Sequence, residues 1–113
     1  MSVSHHVVKA YGQAARLRSQ REQDAEIFRR AADRLSKAEQ PIDVTRALID
    51  NQTLWRTVIG LVNDPSNPLP EALRAQIASV GHTVLRVLDH AVPDIDFVIS
   101  VNQAIADGLS GRA

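Results

Sequence analysis

From Val7 to Leu109, apolar side chains recur at three- and four-residue intervals, and prolines at 41, 65, 68, 70 and 93 cut that pattern into segments. Such spacing places apolar groups on one face of an α-helix, whereas a half-buried strand alternates with a period of two. No segment alternates in that way, so no hairpin signal of an Asn-Gly or Asp-Gly pair between two alternating segments is present. The chain therefore reads as all-α. Its 113 residues suit one domain, taken as residues 1–113, with a real but modest core.

The punctuation divides the chain into four or five helices. The first segment is short, about Val7 to Leu17, with Val7, Val8, Tyr11, Ala14, Ala15 and Arg18 sharing a face; residues 1–6 before it are expected to be a mobile tail. Gly12 weakens this segment by about 1 kcal/mol relative to alanine. Ser19-Gln20-Arg21-Glu22 has the form of a capping box, which would start a second helix over Gln23–Ala38 with Phe28, Ala31, Ala32, Leu35 and Ala38 as its stripe. Pro41 ends that run, and Asp43 is placed to cap a third helix reaching about Val62, with Val44, Ala47/Leu48, Asn51, Leu54/Trp55, Val58/Ile59 and Val62 on one side. Residues 63–68 are a loop. Pro70 suits the first position of a fourth helix, whose seam Leu73, Ile77, Val80, Val84, Val87/Leu88 and Ala91 is interrupted by Gly81. After Pro93, Asp94 and Asp96 favour the start of a last helix carrying Ile95, Val98/Ile99, Asn102, Ile105 and Leu109. Short links favour antiparallel neighbours. The expected architecture is a small helical bundle of four to five helices.

Several function classes are disfavoured by what the chain contains. Basic and acidic residues balance at 13 each, unlike the strongly basic footprint of a general nucleic-acid binder. Lys9, Arg16, Arg18, Arg21, Arg29, Arg30, Arg34 and Lys37 crowd the N-terminal third, but Glu22, Asp24, Glu26, Asp33 and Glu39 are interspersed and several can pair at helical spacing. A solvated helix face is the plainer reading; a face for RNA or an acidic partner is the other. Having no cysteine, the chain has no disulfide or thiolate metal site. The N-terminus shows no apolar secretory core and no run reaches the roughly 18 apolar residues of a membrane helix, so a cytoplasmic location without membrane insertion is expected. His5 and His6 are adjacent, and His82 and His90 are too widely spaced to be paired ligands, so no metal site is expected. Glycines at 12, 60, 81, 108 and 111 are scattered rather than gathered in a phosphate loop. No catalytic constellation or cofactor site appears, and the chain reads as a binding protein, not an enzyme.

The aromatics are Tyr11, Phe28, Trp55 and Phe97. Trp55 lies on an apolar stripe, where core packing is its plain role, yet tryptophan is also enriched among interface hot spots. Large apolar groups that a small bundle leaves uncovered would serve as partner-binding anchors, and Tyr11, Phe28, Leu35, Leu54 and Trp55 are the candidates. On that reading, Trp55→Ala weakens partner binding while the fold survives. Asn51 and Asn102 interrupt apolar stripes. A buried amide must be hydrogen-bonded, so each is either a satisfied core amide that fixes helix register or a polar group offered to a partner.

In order along the chain, Ala10-Tyr11-Gly12-Gln13-Ala14-Ala15, Ser19-Gln20-Arg21-Glu22, Phe28-Arg29-Arg30, Asn51-Gln52-Thr53-Leu54-Trp55, Asn67-Pro68-Leu69-Pro70-Glu71-Ala72-Leu73-Arg74 and Asn102…Ile105…Gly108-Leu109 resemble the pattern of the FlaF family of alpha-proteobacteria. Gln20 departs from the family's usual proline, and the His5-His6 segment lies outside the pattern. The resemblance implies a role in flagellum biogenesis: binding flagellin through its amphipathic helical segments, as a secretion chaperone or adaptor, and promoting flagellin synthesis and export. It also implies a second possibility, post-transcriptional regulation on flagellin messenger RNA, directly or through the regulator FlbT. Flagellin and FlbT are the candidate partners, and near-zero net charge argues against direct nucleic-acid binding.

Overall fold

The prolines and short polar runs break the chain into four helices: α1 (Ser2–Lys37), α2 (Pro41–Asn63), α3 (Glu71–Leu88) and α4 (Ile95–Ser110). The structure is a computed structural model that describes residues 2–111, and no strand occurs among them. The all-α reading holds, with four helices.

The two expected N-terminal helices are one. Ser19-Gln20-Arg21-Glu22 lies in the middle of α1 and caps nothing. Gln20 stands where a proline would have ended the first segment, and all four residues are tolerated in a helix interior. Gln20 Nε2 instead donates to Asp24 Oδ1, one turn on, at 2.9 Å. Residues 2–6 lie in the first turns of α1, and Met1 falls outside the described residues. At about 1.5 Å per residue a helix of this length spans roughly 54 Å, most of the molecule's 63 Å long axis.

The other boundaries move by one to three residues. α2 starts with Pro41 in its first turn, so Asp43 sits inside that turn instead of capping it. The Gln40 carbonyl accepts from the amides of Asp43 and Val44, both at 3.0 Å. Pro70 is the residue before α3 rather than its first, and Ala91 falls beyond the end of that helix. Asp94 caps α4: its Oδ1 accepts from the Phe97 amide at 3.1 Å. Gly111 closes α4 with φ 74°, a left-handed conformation suited to glycine.

The link from α2 to α3 is tied down by side chains. Asp64 Oδ1 accepts from the Ser66 amide at 2.9 Å and from its hydroxyl at 2.8 Å. Those two bonds, with a smaller contribution from the Arg74 charge, hold the Asp64 carboxyl below the ordinary value of 3.8. Asn67 Nδ2 donates to the Leu61 carbonyl at 2.9 Å, while Arg74 Nη1 donates to the carbonyls of Val62 and Asp64 at 3.3 and 3.4 Å. The last carbonyls of a helix have no partner inside it. Asn67 and Arg74 supply partners for α2, which gives the Asn67–Arg74 motif a structural purpose.

The most extensive helix–helix contact is between α1 and α4, followed by that between α2 and α3. Their shared core contains Ala25, Phe28 and Leu35 of α1, Ala47 and Trp55 of α2, Val84 and Leu88 of α3, and Val98 and Ala106 of α4. The Phe28 and Trp55 rings pack at 5.5 Å between centroids, tilted by 58°.

Gly81 is what lets α3 approach α2. A Cβ built there would fall 2.8 Å from Ile59 Cγ1 and 3.2 Å from Trp55 Cε3, whereas one at Gly60 would meet nothing within 4 Å. Alanine at an open helical position gains about 1 kcal/mol over glycine, but forcing a carbon into a packed contact costs about 1–3 kcal/mol. Gly60→Ala should therefore raise the thermal midpoint by several degrees and Gly81→Ala should lower it, as read by circular dichroism. Equal shifts for the two variants would show that the contact at Gly81 is not tight.

Candidate interaction surface

The two asparagines on apolar stripes meet at the centre of the bundle. Trp55 Nε1 donates to Asn102 Oδ1 at 2.9 Å, and Asn102 Nδ2 donates to Asn51 Oδ1 at 2.6 Å. Asn51 Nδ2 then donates to the backbone carbonyls of Ala47 at 2.9 Å and Ala31 at 3.3 Å. All three side chains are completely buried. The relay starts on α2, crosses to α4, returns to α2 and ends on the α1 backbone, so it ties three helices in one register. Every donor points the same way along it, and no buried side-chain nitrogen or oxygen among the described residues lacks a partner. Such a fully connected network is the form in which polar groups are tolerated in a core. The satisfied-amide reading of Asn51 and Asn102 is the one the structure realises. Its residues also come from two motifs of the family pattern, Asn51…Trp55 and Asn102…Leu109, which are brought together only by folding.

The five candidate anchors separate by position. Trp55 is fully buried, and Phe28 and Leu35 are nearly so, at 7% and 5% exposed. These three belong to the core and offer no surface to a partner in this conformation. The expectation that Trp55→Ala spares the fold is corrected accordingly: a small bundle can close around a few large rings when small residues such as Ala25, Ala32 and Ala106 let the helices come close. Leu54 is half-buried, beside Ile27, Ala31 and the Arg34–Asp50 ion pair, whose nitrogen and oxygen lie 2.6 Å apart. That pair is exposed and contributes at most about 1 kcal/mol. Tyr11 alone of the five is open, at 72% exposed.

Tyr11 stands on an uncovered stretch of α1. Val7, Tyr11, Ala14, Arg18, Arg21, Ala25, Phe28, Ala32 and Leu35 follow a strict alternation of four- and three-residue steps along α1. That is the seam spacing of a helix that packs against other helices. From Ala25 onward all four seam residues are buried. From residue 5 to residue 23 no side chain is buried, and Val7, Val8, Tyr11 and Leu17 are exposed to solvent. The N-terminal half of α1 is therefore an arm whose packing face continues the bundle's own but carries nothing.

Charge is concentrated on the same arm. Lys9, Arg16, Arg18 and Arg21 give the first 21 residues +4 with no acidic group, and all 13 acidic residues lie beyond, against nine of the 13 basic ones. The balanced total conceals this division. It was readable in the sequence once the boundary between arm and bundle was known.

The remaining concavities are shallow and surface-lined, such as that formed by Gln52, Arg56, His82, Leu85, Arg86 and Asp89. Among the described residues no group of three or more histidine, aspartate or glutamate side chains is placed to hold a metal ion, and no helix is long and apolar enough to cross a membrane. What the surface presents most clearly is an unpartnered helical face.

Comparison with known proteins gives a single result. No curated protein and no solved structure matches the chain. The family model described as flagellar protein FlaF matches residues 7–109, from the exposed Val7 of the arm to Leu109 at the end of α4. Nearly the whole chain is covered, arm and bundle alike, and the protein belongs to the FlaF family of flagellar proteins.

Proposed function

We propose that this protein is a non-catalytic flagellum biogenesis factor of the cytoplasm that binds flagellin as a chaperone-like adaptor and promotes its synthesis and export. The whole chain acts as one helical unit in this role. One observation carries the reading: a member of a flagellar family leaves the packing face of the α1 arm, Val7 and Tyr11 with Val8 and Leu17 beside them, exposed to solvent. Amphipathic helices commonly bind by laying an apolar face against such a surface, and unassembled flagellin presents amphipathic helical segments.

A second reading has its own support. The acid-free basic arm, Lys9 to Arg21, suits a regulator that acts on flagellin messenger RNA, directly or through FlbT. Phosphate contacts by four cations would make direct binding steeply salt-dependent.

Calorimetric titration of the protein with flagellin, and separately with FlbT, distinguishes them. One-to-one binding of flagellin at micromolar concentration or below, with the negative heat-capacity change of apolar burial, is the expected outcome. Binding to FlbT with none to flagellin would move the assignment to the regulatory reading. A flagellin-leader RNA retained at low salt and lost as salt rises would make that regulation direct.

A further inference from the structure

We infer that the N-terminal arm of α1 is the docking site for an acidic amphipathic helix of a partner protein, which lies along the seam Val7–Tyr11–Ala14–Arg18–Arg21 as the continuation of α4. The inference deepens the binding reading above and rests on it for the biological partner, while its surface and chemistry stand on the structure.

The first argument is continuity. α4 makes the most extensive contact with α1, whose seam is buried from Ala25 to Leu35, and anchors its own end there, with Arg29 Nη2 donating to Ser110 Oγ at 2.8 Å. It then stops at Ser110, closed by the left-handed Gly111. The seam does not stop: its four-three spacing runs on toward the N-terminus for five further positions, to Val7. A surface with that period is complementary to another helix. Residues flanking the uncovered seam, Val8, Ala10, Ala15 and Leu17, are apolar, so the face is wide enough for a helix to bury its stripe on it.

The second argument is charge. Arg18 and Arg21 occupy seam positions, where a facing helix must either leave room or supply carboxylates. The arm bears +4 and no acid of its own, so an acidic partner is attracted and a basic one repelled. A second copy pairing arm to arm would bring two such charges together. An anionic bilayer suits the arm less well: an interfacial helix keeps its cations on the face opposite its apolar one, and Arg18 and Arg21 break that division. For single-stranded RNA the arm supplies only Tyr11 as a stacking platform, and its valines and leucine would be without a role.

The test uses the full chain and a fluorescent three-heptad synthetic peptide with leucine at its seam positions and glutamate flanking them, titrated by anisotropy. The wild-type chain is expected to bind this peptide and to ignore the version with lysine in place of glutamate. Val7→Ser with Tyr11→Ser, and separately Arg18→Glu with Arg21→Glu, should each weaken binding about tenfold or more, equivalent to about 1.4 kcal/mol. Both variants should melt with the wild type, since all four side chains are exposed. The charge-reversed variant should gain affinity for the lysine peptide, a rescue that a structural role would not produce. No binding of the glutamate peptide, equal binding by the variants, or tighter arm-dependent binding of poly(U) or phosphatidylserine vesicles would overturn the inference. So would a concentration-dependent dimer of the chain alone that Tyr11→Ser abolishes in sedimentation. Flagellin is then titrated against the same variants. Flagellin binding that the variants do not affect would sink the surface and leave the flagellin reading standing; peptide binding without flagellin binding would do the reverse.

Discussion

Trp55→Ala should leave the chain unfolded, or nearly so, at physiological temperature. Truncating a buried tryptophan costs about 3–5 kcal/mol through lost burial and the cavity left behind. Here the ring is fully enclosed, packs on Phe28 and abuts Gly81. The variant also leaves Asn102 Oδ1 without its donor, a further penalty of about 1–3 kcal/mol for a buried polar atom. Small domains have only about 5–15 kcal/mol of stability in total. Urea unfolding followed by circular dichroism measures the loss, with Trp55→Phe as a control that keeps most of the ring volume but not the donor. It should fall between wild type and alanine. A midpoint for Trp55→Ala close to that of wild type would mean that the ring is not packed as described. Any loss of partner binding by Trp55→Ala would then follow from unfolding, and only the arm variants test the surface.

The second large effect is expected at Asn102. Replacing it by leucine strands the Trp55 indole N–H and Asn51 Oδ1 in the core at once. At about 1–3 kcal/mol for each orphaned group, the loss should be on the order of 3 kcal/mol. Asn51→Leu should cost less, about 1–3 kcal/mol, because it strands only Asn102 Nδ2; the Ala31 and Ala47 carbonyls keep their donors within α1 and α2. The double variant removes both sides of the 2.6 Å contact, so its loss should be smaller than the sum of the two, the coupling expected of groups in one network. Strict additivity would show that the relay is not a unit. Asn102→Asp gives a qualitatively different result. Asn51 cannot turn its amide to greet a carboxylate, because its nitrogen is committed to the Ala47 and Ala31 carbonyls. Only a protonated carboxyl can donate where the Asn102 amide does, so the introduced group has a raised pKa in the folded state. A raised carboxyl pKa means that the native state holds more protons than the unfolded one. Stability is then greatest at acid pH and falls as pH rises above about 3.9, the ordinary aspartate value. Measured stability for Asn102→Asp that increases from pH 4 to pH 7 would contradict the donor order of the relay.

These residues show what could be read without coordinates. Asn51 and Asn102 were visible as polar interruptions of apolar stripes, and the rule that buried amides are bonded already implied a network. What partners they would find was not visible, because Asn102 lies 51 residues from Asn51 and 47 from Trp55. Tyr11 is exposed and Phe28, Leu35 and Trp55 are buried, although all share the same helical spacing. Periodicity says which side of a helix is apolar. It does not say whether another helix covers that side.

Local physics settled the rest of the secondary structure. Pro41, the run from Asp64 to Pro70, and Pro93 stop helices by their own geometry, so the breaks between α1, α2, α3 and α4 follow from short stretches of chain. The capping box at Ser19 is the instructive failure. Capping residues stabilise a helix start but do not impose one, and without a breaker at Gln20 a helix already under way continues through them. One seam of constant period thus runs from Val7 to Leu35, and nothing in that period distinguishes its two halves. The distinction comes from the place where α4 ends against α1. Ala25, Phe28, Ala32 and Leu35 became core because a distant segment reached them, and Val7 and Tyr11 became surface because none did.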